Sequence, residues 1–212
     1  MTDTTRAVVL DAPGPPDVLT IRELPVPTPA AGWVLIEVKA FGLNRSELHT
    51  RQGLASGVTF PRVLGIEAVG VVAACPGGEF AVGQQVATMM GGMGRTFDEG
   101  YAEYTCVPAT QVIPFASDLE WSTLGAVPEM LQTANGSLTI GLDAQPEQSI
   151  LIRGGTSSVG MAAAVLAKQH DSARDDAHRE EGCSSDRYRR GPRRHRRRQR
   201  CPAGTRDPPS RS

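Results

Sequence analysis

Between residues 5 and 115 the apolar positions come in short runs: Ala7 to Leu10, Val34 to Ala40, Ala68 to Ala73, Gln85 to Thr88 and Tyr101 to Val107, with Gly and Pro between them. Runs of this length, divided by turn residues and separated by only short helical patterns, predict the strands of a partly open β-barrel. Around Ser122 to Leu138 the apolar spacing lengthens toward a helical period, and Pro128 interrupts it. Ser149 to Arg153 reads as a compact strand, followed at once by the glycine-bearing turn Gly154 to Gly160 and an alanine-rich helix, Met161 to Lys168. Strand, turn and helix in that order open an α/β unit, so the expected fold is mixed α+β. There is no internal repeat.

Composition changes this picture only when the chain is divided. The whole has 212 residues, 40% of them hydrophobic and 21% charged, with a net charge of -1. Residues 1–170 carry 9 Lys and Arg against 16 acids, whereas residues 171–212 carry 13 Arg against 7 acids. That second segment has no Val, Ile, Leu, Met, Phe or Trp, so it has almost nothing to bury against chain entropy and is not expected to fold by itself. The first segment is long enough for a sizeable core. No stretch reaches the roughly 18 consecutive apolar residues of a membrane helix. Met1 to Arg6 lacks the basic and apolar regions of a secretory signal, so cytoplasm is the expected compartment. Cys75, Cys106, Cys183 and Cys201 show neither C-x-x-C spacing nor a paired framework, which argues against structural zinc and a disulfide scaffold.

Two clusters are candidates for chemistry. In the run Ser149-Ile-Leu-Ile-Arg-Gly-Gly-Thr-Ser-Ser-Val-Gly160, small residues stand where a strand must turn sharply into a helix whose first amides lack partners. Gly154, Gly155, Thr156, Ser157, Ser158, Val159 and Gly160 would let backbone N–H groups approach a pyrophosphate, with the helix's positive end aimed at it. Gly155 and Gly160 fit the outer glycines of the dinucleotide pattern, and Ser157 holds the middle place, where its side chain crowds the closest approach. The competing reading is a tight turn that packs a helix on a sheet. Upstream, Asn44, Arg45, Ser46, Glu47 and His49 gather directly after a predicted strand. Arg45 could pair with a phosphate, and a Ser hydroxyl near an imidazole could pass a proton between substrate and solvent. A solvated turn with a capping Ser or Asn explains the same residues.

The ordered segments Gly42-Leu-Asn-Arg-Ser-Glu-Leu-His49, Pro61-Arg-Val-Leu-Gly-Ile-Glu-Ala-Val-Gly70, Gly100-Tyr-Ala-Glu-Tyr104, Thr133-Ala134 and the glycine turn together carry a resemblance. The chain resembles the medium-chain dehydrogenase/reductase family and, more narrowly, is similar to its zinc-independent quinone oxidoreductase branch. The resemblance implies a GroES-like, partly open β-barrel catalytic domain over 1–125. It implies the first βα unit of a truncated, NAD(P)-binding Rossmann domain over 126–170, and a tail over 171–212 outside the pattern.

In zinc-dependent alcohol dehydrogenases of this family the position matched by Asn44 is cysteine and that matched by Ile66 is histidine. An amide and an alkyl chain do not replace thiolate and imidazole, even with Glu129 near the third ligand's place, so no metal is expected. The lobe with four structural cysteines is also missing. The implied chemistry is hydride delivery from NADPH, or NADH, to a quinone or conjugated carbonyl, acceptors that already tolerate developing negative charge. By likeness Asn44 is a donor to the acceptor or to the nicotinamide ribose, and Ser46 and His49 match the proton-relay positions. Arg45 matches a pyrophosphate contact and Thr133 a contact at the nicotinamide end. Glu67 reads as a structural acid, and Tyr101 and Tyr104 as packing residues, with a cleft-facing hydroxyl a further option for a quinone oxygen. The partner implied is a small-molecule acceptor, not a membrane or a nucleic acid, and the full-length family form is expected to be a homodimer.

Residues 171–212 leave alternatives open. Arg193-Arg-His-Arg-Arg-Arg198 has the charge density of a nucleic-acid arm, and the same run suits a solvated charge segment. A third reading fits better. In a GC-rich gene an arginine run written in CGN codons becomes, one base forward, a run of GNC codons. With synonymous choices, residues 186–198 re-read as Thr-Asp-Thr-Gly-Ala-Asp-His-Val-Val-Ile-Asp-Asp-Gly, which resembles the family's next strand. A frameshifted tail on an impaired or inactive enzyme is therefore expected, and a non-catalytic fragment, or a nucleic-acid-associated protein acting through that tail, is the alternative.

Overall fold

A computed structural model of the chain describes residues 4–98 and 100–172, and the side chains only as far as 169; all of these lie in one unit, Met1–Arg174. The predicted strands form because their β-branched residues alternate onto a common interior. In β3 (Trp33–Ala40), Val34 and Ile36 are fully buried and pack with Val72, Val86, Met93, Val107 and Val112. Around β3 runs a five-stranded antiparallel sheet in the order β7 (Tyr104–Pro108), β3, β5 (Glu67–Ala74), β6 (Gln85–Met89), β8 (Val112–Pro114). A second sheet has the order β2 (Leu19–Pro25), β1 (Thr4–Leu10), β4 (Arg62–Val63). Ala7, Val9, Leu10, Val63, Leu64 and Tyr101 make its core.

One segment joins the sheets. The predicted run from Tyr101 to Val107 divides: Ala102 bridges Ala7 and the Val8 N–H donates to the Tyr101 carbonyl at 2.8 Å, while Tyr104 to Pro108 pairs with β3. Because the chain changes partner there, the two sheets curl into the expected partly open barrel. The edge strand β2 is mostly exposed, with Ile21 outward, so no alternation marked it in the sequence.

Helices carry the rest. α1 (Arg45–Arg51) follows β3, where the sequence suggested only a polar turn. α2 (Trp121–Leu124) ends at Gly125, and α3 (Pro128–Gly136) starts with its proline in the first turn, where the missing N–H costs nothing. A π turn, Ser137–Gly141, closes it. α4 spans Ser158–Ser172, longer than the predicted helix at both ends.

The strand expected over Ser149 to Arg153 is corrected. Among the described residues nothing pairs with it, and a ladder is what makes a strand. Its inside-outside alternation survives: Ile150 and Ile152 pack with α3 and α4, while Leu151 is 95% exposed. The arginine-rich tail lies outside the described residues apart from Asp171 and Ser172 at the end of α4.

Candidate functional site

The end of β3 feeds a tight approach. Gly42 lies so near the Glu67 carboxylate that a Cβ there would meet Glu67 Oε1 at 2.1 Å. Two residues on, Asn44 caps α1. Its backbone N–H donates to Glu47 Oε2 at 2.9 Å and its side chain faces the Glu47 backbone N–H, a reciprocal capping box. The sequence carries this as Asn44-x-x-Glu47, so the capping Asn comes with an acid three residues on. Glu47 Oε1 also accepts the Ile66 N–H at 3.0 Å, so one buried carboxylate ties α1 to the start of β5.

Glu67 is the centre of a second set of bonds. It is 2% exposed. Oε1 accepts from Asn44 Nδ2 at 2.7 Å, and Oε2 accepts from the Glu129 backbone N–H at 2.8 Å. That N–H belongs to the first turn of α3, where intrahelical partners are missing and a negative charge is favoured. The Glu129 side chain turns along its own helix, with Oε1 accepting from Thr133 Oγ1 at 2.7 Å. Asn44, Glu67, Glu129 and Thr133 thus form one hydrogen-bonded line from the barrel to α3.

Burial pushes the carboxyl of Glu47 above its ordinary range, against the N–H groups that favour its charged form. Glu67 is pushed up for the same first reason, with the Asn44 and Glu129 hydrogen bonds opposing it. Tyr101 is buried against Phe41, ring centroids 4.7 Å apart, and burial together with the charges of Glu47 and Glu67 holds its phenol protonated well above the usual range. Tyr104 lies in β7 and lines a different cavity of about 460 Å³ with Thr5, Leu24, Phe97 and Cys106.

The other expected residues are placed as follows. Arg45 is exposed in the first turn of α1. Ser46 Oγ accepts from Arg95 at 3.2 Å, and His49 is exposed in the last turn of α1; among the described residues no hydrogen bond joins Ser46 to His49. Arg95, on the loop after β6, had no motif to announce it. Thr133 is exposed and faces Glu129.

In the glycine turn, Gly154 has φ +79, and a Cβ at Gly160 would come within 2.4 Å of the Gly154 carbonyl oxygen, so residue 160 must be glycine for the helix to pack on its own turn. Ser157 folds back to cap α4: its Oγ donates to the Gly154 carbonyl at 2.8 Å and accepts the Gly160 N–H at 3.1 Å. Residues 154–158 are exposed, leaving the first amides of α4 beside an open surface. Such an edge fits a pyrophosphate.

A zinc site fits poorly. Among the described residues no group of three or more His, Cys, Asp or Glu could hold a metal ion. Ile66 brings an alkyl chain, Asn44 an amide already bonded to Glu67, and both Glu67 oxygens are in use.

Residues 30–117 match the alcohol dehydrogenase GroES-like domain. Over 184 residues the chain is 32% identical to the trans-enoyl reductase tndF of Aspergillus flavipes, covering 77% of this chain and 51% of that protein. Human quinone oxidoreductase is 30% identical over 169 residues, 78% of this chain and 50% of the relative. Among solved structures, an NAD-dependent alcohol dehydrogenase superposes with a TM-score of 0.73 at 31% identity, over 78% of this chain and 55% of that one. The chain belongs to the medium-chain dehydrogenase/reductase family, in its quinone oxidoreductase branch. It spans about half the length of the curated relatives it matches.

Proposed function

We propose that this chain carries the catalytic barrel and the first cofactor-binding turn of a zinc-free, NAD(P)H-dependent oxidoreductase that reduces a quinone or a conjugated carbonyl. By family it is an oxidoreductase, and members of the family bind NAD(P)H. The observation that carries the zinc-free reading is the filled position at the strand ends, where Asn44 donates to Glu67 beside the apolar side chain of Ile66. NAD(P)H, with NADPH the proposed form, supplies the hydride when bound. The chain's own groups do the rest: the turn from Gly154 to Gly160, through the amides not already bonded within it, holds the pyrophosphate with Arg45, Thr133 orients the nicotinamide end, and Asn44 donates to the acceptor oxygen or the ribose. Ser46 and His49 move the compensating proton, which requires a rotamer or a water that brings them together.

The 212-residue form is proposed to have little or no turnover, because the segment from 126 to 172 leaves the apolar side chains of Ile140, Leu151, Met161 and Val165 exposed. The partner is a small-molecule acceptor, the full-length form a homodimer, and cytoplasm the compartment. Among the described residues no helix is long and apolar enough to cross a membrane. The test compares this chain with a version extended through a complete cofactor domain, titrated with NADPH and NADH and assayed on a quinone and an enone, with and without a chelator. Chelator-resistant reduction by the extended version is expected. Stoichiometric zinc with activity lost to the chelator would overturn the zinc-free reading, and no NAD(P)H binding would overturn the whole.

A further inference from the structure

We infer that Glu67 is the positioning residue that registers the acceptor side of the site to the cofactor side. The inference rests on the proposed function for the roles of Asn44 and Thr133, and on geometry for the link between them.

The link is one buried side chain with two different partners. Oε1 takes the Asn44 amide at 2.7 Å and Oε2 takes the Glu129 N–H at 2.8 Å, and the Glu129 carboxylate in turn takes the Thr133 hydroxyl at 2.7 Å. Both donors are N–H groups, so both Glu67 oxygens must accept. Only a carboxylate supplies two acceptors in that fork; a glutamine of the same shape turns one arm into a donor facing a donor. The Asn44 amide has its own direction fixed by the arrangement, its nitrogen toward Glu67 and its side chain reaching the Glu47 N–H at the start of α1. One amide hydrogen remains for a ligand, so the group Asn44 presents is a donor. A carbonyl or quinone oxygen satisfies it. Gly42 is the counterpart on the other wall, since any side chain there would occupy the place of Glu67 Oε1. A carboxylate serving only local structure would need one of these partners, not one on each side of the boundary between barrel and cofactor unit.

A reciprocal exchange tests this on the 212-residue chain without any ligand. In Glu67→Gln, one donor loses its acceptor: the thermal midpoint is expected to fall by about 5 °C or more, with either the Glu129 amide exchanging faster or the Asn44 amide released. In Asn44→Asp two carboxylates face each other and the loss is expected to be larger. In the double variant the glutamine oxygen accepts from Glu129 while its nitrogen donates to the new aspartate, so most of the midpoint and the Glu129 protection should return. The Asn44 side-chain NH2 pair gives a spectroscopic readout: in the unaltered chain one proton should be shifted downfield and exchange slowly, and in Glu67→Gln either that signature or the Glu129 amide protection should be lost, according to which donor the glutamine nitrogen faces. A double variant no better than the sum of the singles, or an Asn44 pair and a Glu129 amide both unmoved by Glu67→Gln, overturns the inference. Should both single variants fail to fold, a folded double variant supports it and an unfolded one overturns it. Because no cofactor enters, restored coupling alongside an extended version without hydride transfer would sink the proposed function and leave standing only the link from Asn44 through Glu67 to Glu129.

Discussion

The barrel and the βα unit treat their hydrophobic residues in opposite ways. In the barrel, Val34, Ile36, Val86 and Val107 are wholly withdrawn from water, and the inner face of each sheet carries a buried cluster. In the βα unit, Ala134, Leu138, Ala162 and Ala163 form a small core on one side. On the other, Leu151 is 95% exposed, Ile140 87%, and Met161 and Val165 more than half. The barrel meets its burial requirement from strands that all lie between residues 4 and 114. A doubly wound unit meets it from strands that arrive later in the chain. The barrel can therefore be stable within the described residues, while the βα unit depends on whatever covers its outer face.

The largest effect should come from the barrel core. Ile36→Ala removes a fully buried side chain among Val72, Val86 and Val107 and is expected to cost about 2–5 kcal/mol in urea unfolding. The two tryptophans, Trp33 and Trp121, lie on β3 and α2, so their fluorescence reports this region. A loss no larger than that of a surface change would mean that the barrel is not the stable part. Next comes Gly160→Ala. Its new Cβ would press on the Gly154 oxygen and the Gly155 Cα at 2.4 and 2.8 Å, opening the turn. In a version with a complete cofactor domain NADPH affinity should fall on the order of tenfold, with the tryptophan-reported midpoint unmoved. Unchanged affinity would remove the turn from the cofactor site.

The same contrast explains what could be read in the sequence. The barrel's central strands were legible because a strand buried on a shared core must carry its apolar residues in dense short runs, as Val34-Leu-Ile36 and Val69 to Val72 do. β2 was not legible, since an edge strand with Ile21 outward has no inside to mark. α1 was hidden for another reason: seven residues hold too few apolar positions for a helical period, and only its capping box announces it. Ser149 to Arg153 has the right pattern, but pairing is a property of two segments and cannot be read from one. Of the site, the motif brought Asn44, Thr133 and the glycine turn to attention, whereas the Glu67 fork between Asn44 and Glu129 spans 23 residues on one side and 62 on the other. No local spacing encodes such a contact. Nor does any encode the Arg95 bond to Ser46.

A third prediction concerns pH and again sets barrel interior against surface. Glu47 and Glu67 have carboxyls raised above 4.5 by burial. A raised folded-state value contributes stability that is fully present below the unfolded value and lost as pH rises through the folded one. Glu103, bonded to Arg6, and Glu79 are lowered, so their contribution is present above 4.5 and lost as pH falls through the depressed values. The interior pair therefore acts on the alkaline side of 4.5 and the surface pair on the acid side. Stability of the unaltered chain should decline from mildly acidic toward neutral pH, and Glu47→Gln should flatten that decline while lowering stability at every pH, because its amide nitrogen would face one of the N–H donors of Asn44 and Ile66. Being exposed, Arg6 and Glu103 should contribute little, and less in salt. A profile that rises steadily to neutral pH would show that the hydrogen bonds to the buried acids outweigh their burial.

The smallest effect separates the two regions most sharply. Leu151 stands between two inward isoleucines with its side chain in water, so Leu151→Ser should change the stability of this chain by no more than about 0.5 kcal/mol, followed by circular dichroism of α4. It should also reduce self-association at high protein concentration, because a large apolar side chain left in water, as Leu151, Ile140 and Val165 are, favours burial against another copy. In the version extended through a complete cofactor domain the same substitution should cost about 2 kcal/mol or more, since that face would be inside. Equal and small effects in both versions would mean that the outer face stays exposed, and the βα unit would then not be the start of a doubly wound sheet.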